Sequence, residues 1–261
     1  MNEKTKKMWN NWSDEYFHNV NDSLKVIKKN PEKGFPVEVF EMINTEFPSL
    51  KNKNVLIPSS GDNIAAFSFY LLGANVTSTD ISENQLKNAK KISDENNWKI
   101  NYICTDTMNL KSIDNNKYDL VYTSNGAHIW ISDLVYMYKN IYRILVKNGF
   151  YIFFETHPII RPFDDSGTII SIKRPYGEIG PRGDPPEYLW RIEDFLRSLL
   201  NVGFIVKDYR DLKAKATDIM AHNWFYKTDE ELKNDNGNKF DWNKNPWAAL
   251  PQWISCKIKK E

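Results

Sequence analysis

The stretch Asn54-Val55-Leu56-Ile57-Pro58-Ser59-Ser60-Gly61-Asp62-Asn63 decides the fold. A short apolar run of this kind fits a parallel strand buried on both faces. The run breaks at a turn containing Gly61. Ala65 to Leu72 then reads as a helix that stops at Gly73, a suitable residue just past a helix end. The rhythm repeats outward. Asn75 to Thr79 is a strand ending at Asp80, and Ser82-Glu83-Asn84-Gln85 reads as a capping box for a helix to about Asn96. Asn101–Cys104, Tyr118–Tyr122 and the almost wholly apolar Phe150–Phe154 are further strands, with a periodic helix over Asp133–Lys147 ended by Asn148-Gly149. Such alternation over about 100 residues predicts an α/β fold built on a doubly wound, mostly parallel sheet.

The flanks read differently. Trp9, Trp12 and Tyr16 recur at spacings of three and four, near one face of an N-terminal helix. A second helix over Val37–Ile43 begins after Pro36 and stops before Pro48, and Lys25, Lys28, Lys29 and Lys33 read as a solvated face. Residues 1–50 are therefore expected to form a helical cap, and residues 51–261 the main domain. Insertions interrupt that domain at about 157–190 and 211–251. The first is rich in proline (Pro158, Pro162, Pro175, Pro181, Pro185, Pro186), and the second carries Trp224, Trp242 and Trp247. A helix over Arg191–Leu200 and strands over Phe204–Tyr209 and Trp253–Lys257 complete the pattern.

Composition narrows the function. The 261 residues include 35 Lys and Arg against 34 acids, a net charge of +1, which is not the strongly basic balance of a general nucleic-acid binder. The charged N-terminus is followed by no apolar stretch of the secretory kind, and no run approaches the roughly 18 apolar residues of a membrane helix. Cys104 and Cys256 are too few and too far apart for a disulfide framework or a zinc site, and both read as buried thiols. A cytoplasmic protein without a structural metal is expected.

Ligands of open α/β sheets bind beyond the carboxyl ends of the strands. Three features meet at that edge. The turn Pro58–Asn63 places Gly61 and backbone N–H groups toward a ligand at a helix N-terminus. Asp80, 19 residues beyond Gly61, is placed to accept hydrogen bonds from both hydroxyls of a ribose. Asp106, after the third strand, is placed to reach the exocyclic amine of a base. Together they describe an adenosine site. Taken singly, each has a plain alternative, since an Asp opening a helix is often only its cap. A nicotinamide dinucleotide would want a G-x-G-x-x-G turn, and this turn has one glycine.

At these residues the chain resembles the class I S-adenosylmethionine-dependent methyltransferases. Val55–Asn63 is similar to their first motif, Thr79-Asp80-Ile81-Ser82 to the ribose-binding segment, and Cys104-Thr105-Asp106-Thr107-Met108 to the adenine-contacting one. Tyr118–His128 is similar to the fourth motif. The resemblance covers about residues 50–156. It implies a seven-stranded Rossmann-like sheet ending in an antiparallel hairpin, here Phe204–Tyr209 with Trp253–Lys257. It also implies S-adenosyl-L-methionine as cofactor, with contacts at Ser59, Gly61, Asp62, Asp80, Ile81, Asp106, Thr107, Met108 and Asn125. The chain departs from the family's first motif, which has an acid where Ile57 stands and glycines where Ser59 and Asn63 stand. Asn tolerates left-handed backbone better than most residues, and Asp62 is the candidate to replace the missing acid. Aromatic faces suit a sulfonium cation, so Trp9, Trp12 and Tyr16 are expected to cover the cofactor.

Methyl transfer needs the acceptor held about 3 Å from the methyl, in line and away from water. His157 follows the fifth strand at the ligand edge and is the candidate base, sharing a face with Glu155 if the strand persists that far; His128 and His222 are lesser candidates. The Asn- or Asp-Pro-Pro-aromatic sequence of base-amine and glutamine methyltransferases is missing, since Ser124-Asn125-Gly126-Ala127 stands there. Neither cysteine is placed to attack cytosine. A small-molecule acceptor is expected, and no nucleic acid. A protein or RNA methyltransferase and a non-catalytic cofactor-binding module are the other classes.

Overall fold

The structure is a computed structural model that describes residues 3–124, 126–164, 170–215, 230, 234–235 and 238–261, with backbone alone at 15–19. Seven strands form one sheet: β1 (Asn54–Ile57), β2 (Asn75–Asp80), β3 (Asn101–Cys104), β4 (Tyr118–Thr123), β5 (Leu145–Thr156), β6 (Ile205–Leu212) and β7 (Trp253–Lys259). Their order is β3-β2-β1-β4-β5-β7-β6. The first five run parallel, and β7 is antiparallel to both β5 and β6. The doubly wound sheet and its closing hairpin match the sequence expectation.

The helices are α1 (Glu3–Lys29), α2 (Val37–Glu46), α3 (Ile64–Leu71), α4 (Glu83–Glu95), α5 (Leu134–Ile144) and α6 (Ile192–Val202). Strand residues alternate between two faces, and the core divides accordingly. Val55, Ile57, Tyr122 and Phe154 pack with Met42 of α2 and Phe69 of α3. Leu56, Val121, Tyr151 and Phe153 pack with Met137 and Ile141 of α5 and Leu199 of α6. A third cluster joins α1 to α3 and α4 through Leu24, Ile27, Phe67 and Ile92.

Two local features differ from the sequence expectation. α5 ends at Ile144, three residues before the expected end, because Leu145 is already extended (φ −68°, ψ 142°) and Asn148 is left-handed (φ 62°). The Asn148-Gly149 pair therefore marks an irregularity between Tyr118 and Leu120 in the β4–β5 register rather than a helix end. Cys104 is exposed, whereas Cys256 is buried as expected. β3 is an edge strand, so its side chains lack a neighbouring strand on one side. Burial pushes the Cys256 thiol up to about 12.

Candidate cofactor and acceptor site

A cavity of about 870 Å³ opens beyond the carboxyl ends of β1 to β5, near the upper end of the ~300–1,000 Å³ usual for small-molecule sites. It lies where β1 and β4 neighbour each other, the point at which the strand order reverses. Ser59, Gly61, Asp62, Asp80, Ile81, Asp106, Thr107 and Met108 all line it. Asn125 lies outside the described residues, as do His222 and Trp224, and Tyr16 is described only as backbone of α1.

The turn after β1 keeps its shape without the usual glycines. Ser59, Gly61 and Asn63 all adopt positive φ, at 49°, 51° and 63°. Asn63 stabilises its conformation with its side chain. Its Nδ2 donates to Gly61 O at 2.7 Å, and its Oδ1 accepts from the buried Ser78 hydroxyl of β2 at 2.5 Å. Ser59 and Thr107 share a hydroxyl hydrogen bond of 2.8 Å, which ties the first turn to the segment after β3. A Cβ on Gly61 or on Gly126 would meet no protein atom within 4 Å, so both glycines face open space. Ile57, where the family's acid stands, is buried in the apolar core. Asp62 lies at the cavity wall, its Oδ1 accepting from Ile64 N at 3.0 Å.

Asp80 is almost fully buried and accepts from Gly61 N at 3.0 Å and from Ser82 N at 2.9 Å. The Ile81 N–H also acts on it, and a carboxylate offers about four acceptor sites, so capacity remains. Burial raises the carboxyl above its ordinary value, opposed by the backbone N–H groups. Asp106 accepts from Met108 N at 2.8 Å, which orients the loop after β3.

The N-terminal helix closes one side. Trp9 and Trp12 line the cavity, packed edge to face at 5.6 Å, and Trp9 also meets Trp130 at 6.0 Å. Asn10 clamps the helix to the start of α4, accepting from the Ser82 hydroxyl at 2.6 Å and from Asn84 N at 3.3 Å. Lys6 pairs with Glu83 beside it.

His157 does not line the cavity. β5 ends at Thr156, so the strand alternation that was to carry His157 to the ligand stops one residue short. Its Nδ1 accepts from Ile159 N at 3.1 Å, and its Nε2 lies 2.9 Å from Asp211 Oδ1 of β6. Desolvation lowers its pKa, with Asp211 opposing. In the neutral tautomer these bonds require, the one basic lone pair is already occupied. His157 fastens the end of β5 to β6 and does not face the acceptor space.

Glu155 turns toward His128 instead. It is buried and accepts from Gly126 N (2.8 Å), His128 N (3.0 Å) and Thr156 N (2.8 Å), with His128 Nδ1 3.2 Å away. His128 Nε2 lies 3.2 Å from the Tyr151 hydroxyl, which in turn bonds Thr123 at 2.8 Å. This network fixes the loop after β4, whose Ser124, Gly126 and Ala127 line the cavity. Sequence reasoning missed Phe35, Trp130, Tyr136, Arg161 and Tyr188, which also line it. Their sequence neighbourhood carries no motif, and only the excess of aromatics hinted at such a wall. Among the described residues no cluster would hold a metal, and no helix is long and apolar enough to cross a membrane.

Comparison with known proteins agrees with this geometry. A family model described as a methyltransferase domain matches residues 58–153. YbaJ, an uncharacterized methyltransferase of Bacillus subtilis, is 23% identical over 183 residues, covering 64% of this chain and 71% of its own. An S-adenosylmethionine-dependent methyltransferase from Mesorhizobium loti superposes with a TM-score of 0.63 at 18% identity, over 85% of this chain and 97% of that one. Geranyl diphosphate C-methyltransferase from Streptomyces coelicolor, whose structure holds S-adenosyl-L-homocysteine, gives 0.61 at 9% identity, over 86% and 78%.

Proposed function

We propose that this chain, which belongs to the class I S-adenosylmethionine-dependent methyltransferases, methylates a small molecule held in the same cavity as its cofactor. The observation that carries the proposal is one 870 Å³ space lined both by the strand-end acids and by aromatic side chains with Arg161. The residues present fit the cofactor. Gly61 leaves room for a close ligand, and Asp80, with about four lone-pair sites, keeps acceptor capacity beyond the backbone N–H groups of Gly61, Ile81 and Ser82.

When bound, S-adenosyl-L-methionine supplies an electrophilic methyl on a sulfonium. An acceptor lone pair bonds that carbon as the carbon–sulfur bond breaks, leaving S-adenosyl-L-homocysteine. In this reading Asp80 takes the ribose hydroxyls, Asp106 with Thr107 and Met108 borders the base, and the turn Ser59–Asn63 borders the methionine end. Trp9 and Trp12 present aromatic faces that favour a cation and exclude water. No histidine lines the cavity among the described residues. Positioning and desolvation contribute to the rate, up to about 7–11 kcal/mol in well-oriented systems.

The test is incubation of the protein with isotopically labelled cofactor and a metabolite extract, followed by mass spectrometry. Label in a small molecule is expected. Label confined to protein or RNA would overturn the acceptor class.

A further inference from the structure

Arg161 follows the short turn Pro158–Ile160 directly after β5 and lines the cavity. Its backbone is held, Arg161 N donating to Pro158 O at 3.2 Å. Its guanidinium, by contrast, makes no hydrogen bond and no ion pair within 4 Å with any described residue. The acids whose fields reach it are Glu155 and Glu187. Glu155 is already committed to three backbone N–H groups and His128. A second cation, Arg174, stands close enough to repel Arg161, its backbone N donating to Pro162 O at 3.2 Å. Arg174 Nε is buried with no hydrogen-bond partner. Arg174 does not line the cavity, so it is the Arg161 guanidinium, partly withdrawn from water and repelled by a second cation, that is costly there unless an anion completes it.

We infer that the methyl acceptor is an anion, a small molecule whose carboxylate or phosphate group sits on Arg161 at the β5 side of the cavity. This rests on the methyl-transfer function proposed above. A guanidinium offers a planar fork that matches either group with two parallel hydrogen bonds. Burial lowers the Arg161 pKa, the direction expected of a charge awaiting a partner. Tyr188 and Trp130 line the same cavity and supply apolar wall for the remainder of the molecule. Tyr188 is anchored there, its N donating to Ile129 O at 2.8 Å. Thr156, at the end of β5, also lines the cavity.

The test titrates benzoate, phenyl phosphate and the neutral benzamide calorimetrically into protein saturated with S-adenosyl-L-homocysteine. One of the anions should bind about tenfold or more tighter than benzamide, as one good charge-assisted pair allows, and the better anion identifies the group recognised. Arg161→Gln should abolish the preference while changing S-adenosyl-L-homocysteine affinity by less than about twofold. Arg161→Lys, which keeps the charge but loses the fork, should retain only part of it. Equal binding of benzamide, or a preference that survives Arg161→Gln, would overturn the inference and leave methyl transfer standing. Failure of S-adenosyl-L-homocysteine to bind the wild-type protein would instead strike the functional reading, and it shows in the first titration.

Discussion

On the β3–β2–β1 side of the cavity, each expected ligand contact lies within a few positions of a strand end. The β4–β5 side draws on Trp130, Arg161 and Tyr188, from segments far apart in the chain. The first side is fixed by topology, because a parallel strand delivers its last residues to one edge whatever surrounds it. The second depends on where the loop after β4 and the segment after β5 pack.

The sharpest way to break the contrast is at Asp80. Asp80→Ala removes two hydrogen bonds from ribose to an ionised group, each about 1.5–3 kcal/mol. Affinity for S-adenosyl-L-homocysteine should fall by about 10² to 10⁴, by calorimetry on protein whose circular dichroism is unchanged. Burial holds this carboxyl above its ordinary value, and the ionised form is the better acceptor. Affinity should therefore climb as pH rises through that raised value, above the ~3.9 of a free Asp.

On the other side, Glu155→Ala strands three backbone N–H groups and His128. With each buried unsatisfied group worth about 1–3 kcal/mol, urea unfolding should show a loss of about 3 kcal/mol or more. His157→Ala should cost less, about 1–2 kcal/mol for two side-chain hydrogen bonds. Turnover of the folded variant should stay within about threefold, where loss of a general base would cost about 10² to 10⁴. Because the folded-state pKa of His157 is lowered, the unfolded chain takes up its proton first. Stability should decline as pH falls through about 6.5 and stop declining below the folded value, a dependence absent from His157→Ala. The smallest effect belongs to the β1 turn. Asn63→Gly should be less damaging than Asn63→Ala by about 1 kcal/mol, because Ala keeps a Cβ at φ 63° while both lose the bond to Ser78.

The parallel part of the sheet was legible because β1 and the apolar stretch of β5 stand out as short apolar runs after or before turns, whereas the β6–β7 pairing came only with the family resemblance. The left-handed turn was legible because Asn63 is a residue type that accepts such backbone. His157 misled because its place in sequence, one residue beyond β5, says nothing of which way a side chain turns once the strand has ended. Asp211, its partner, lies 54 residues away. Arg161 and Tyr188 were illegible for the same reason, since a proline-rich segment has no period from which to read a face. Cys104 needed the strand order, which shows β3 at the edge.

The central claim is that the strand-end acids and the N-terminal helix close on one cofactor in one cavity. Hydrogen exchange of the intact protein with and without S-adenosyl-L-homocysteine tests it most directly. Exchange should slow together in residues 59–63, 80–84 and 106–108 and in residues 5–14 of α1, which carry Trp9, Asn10 and Trp12. Slowing at the strand ends with α1 unchanged, or no slowing at either, would contradict the account.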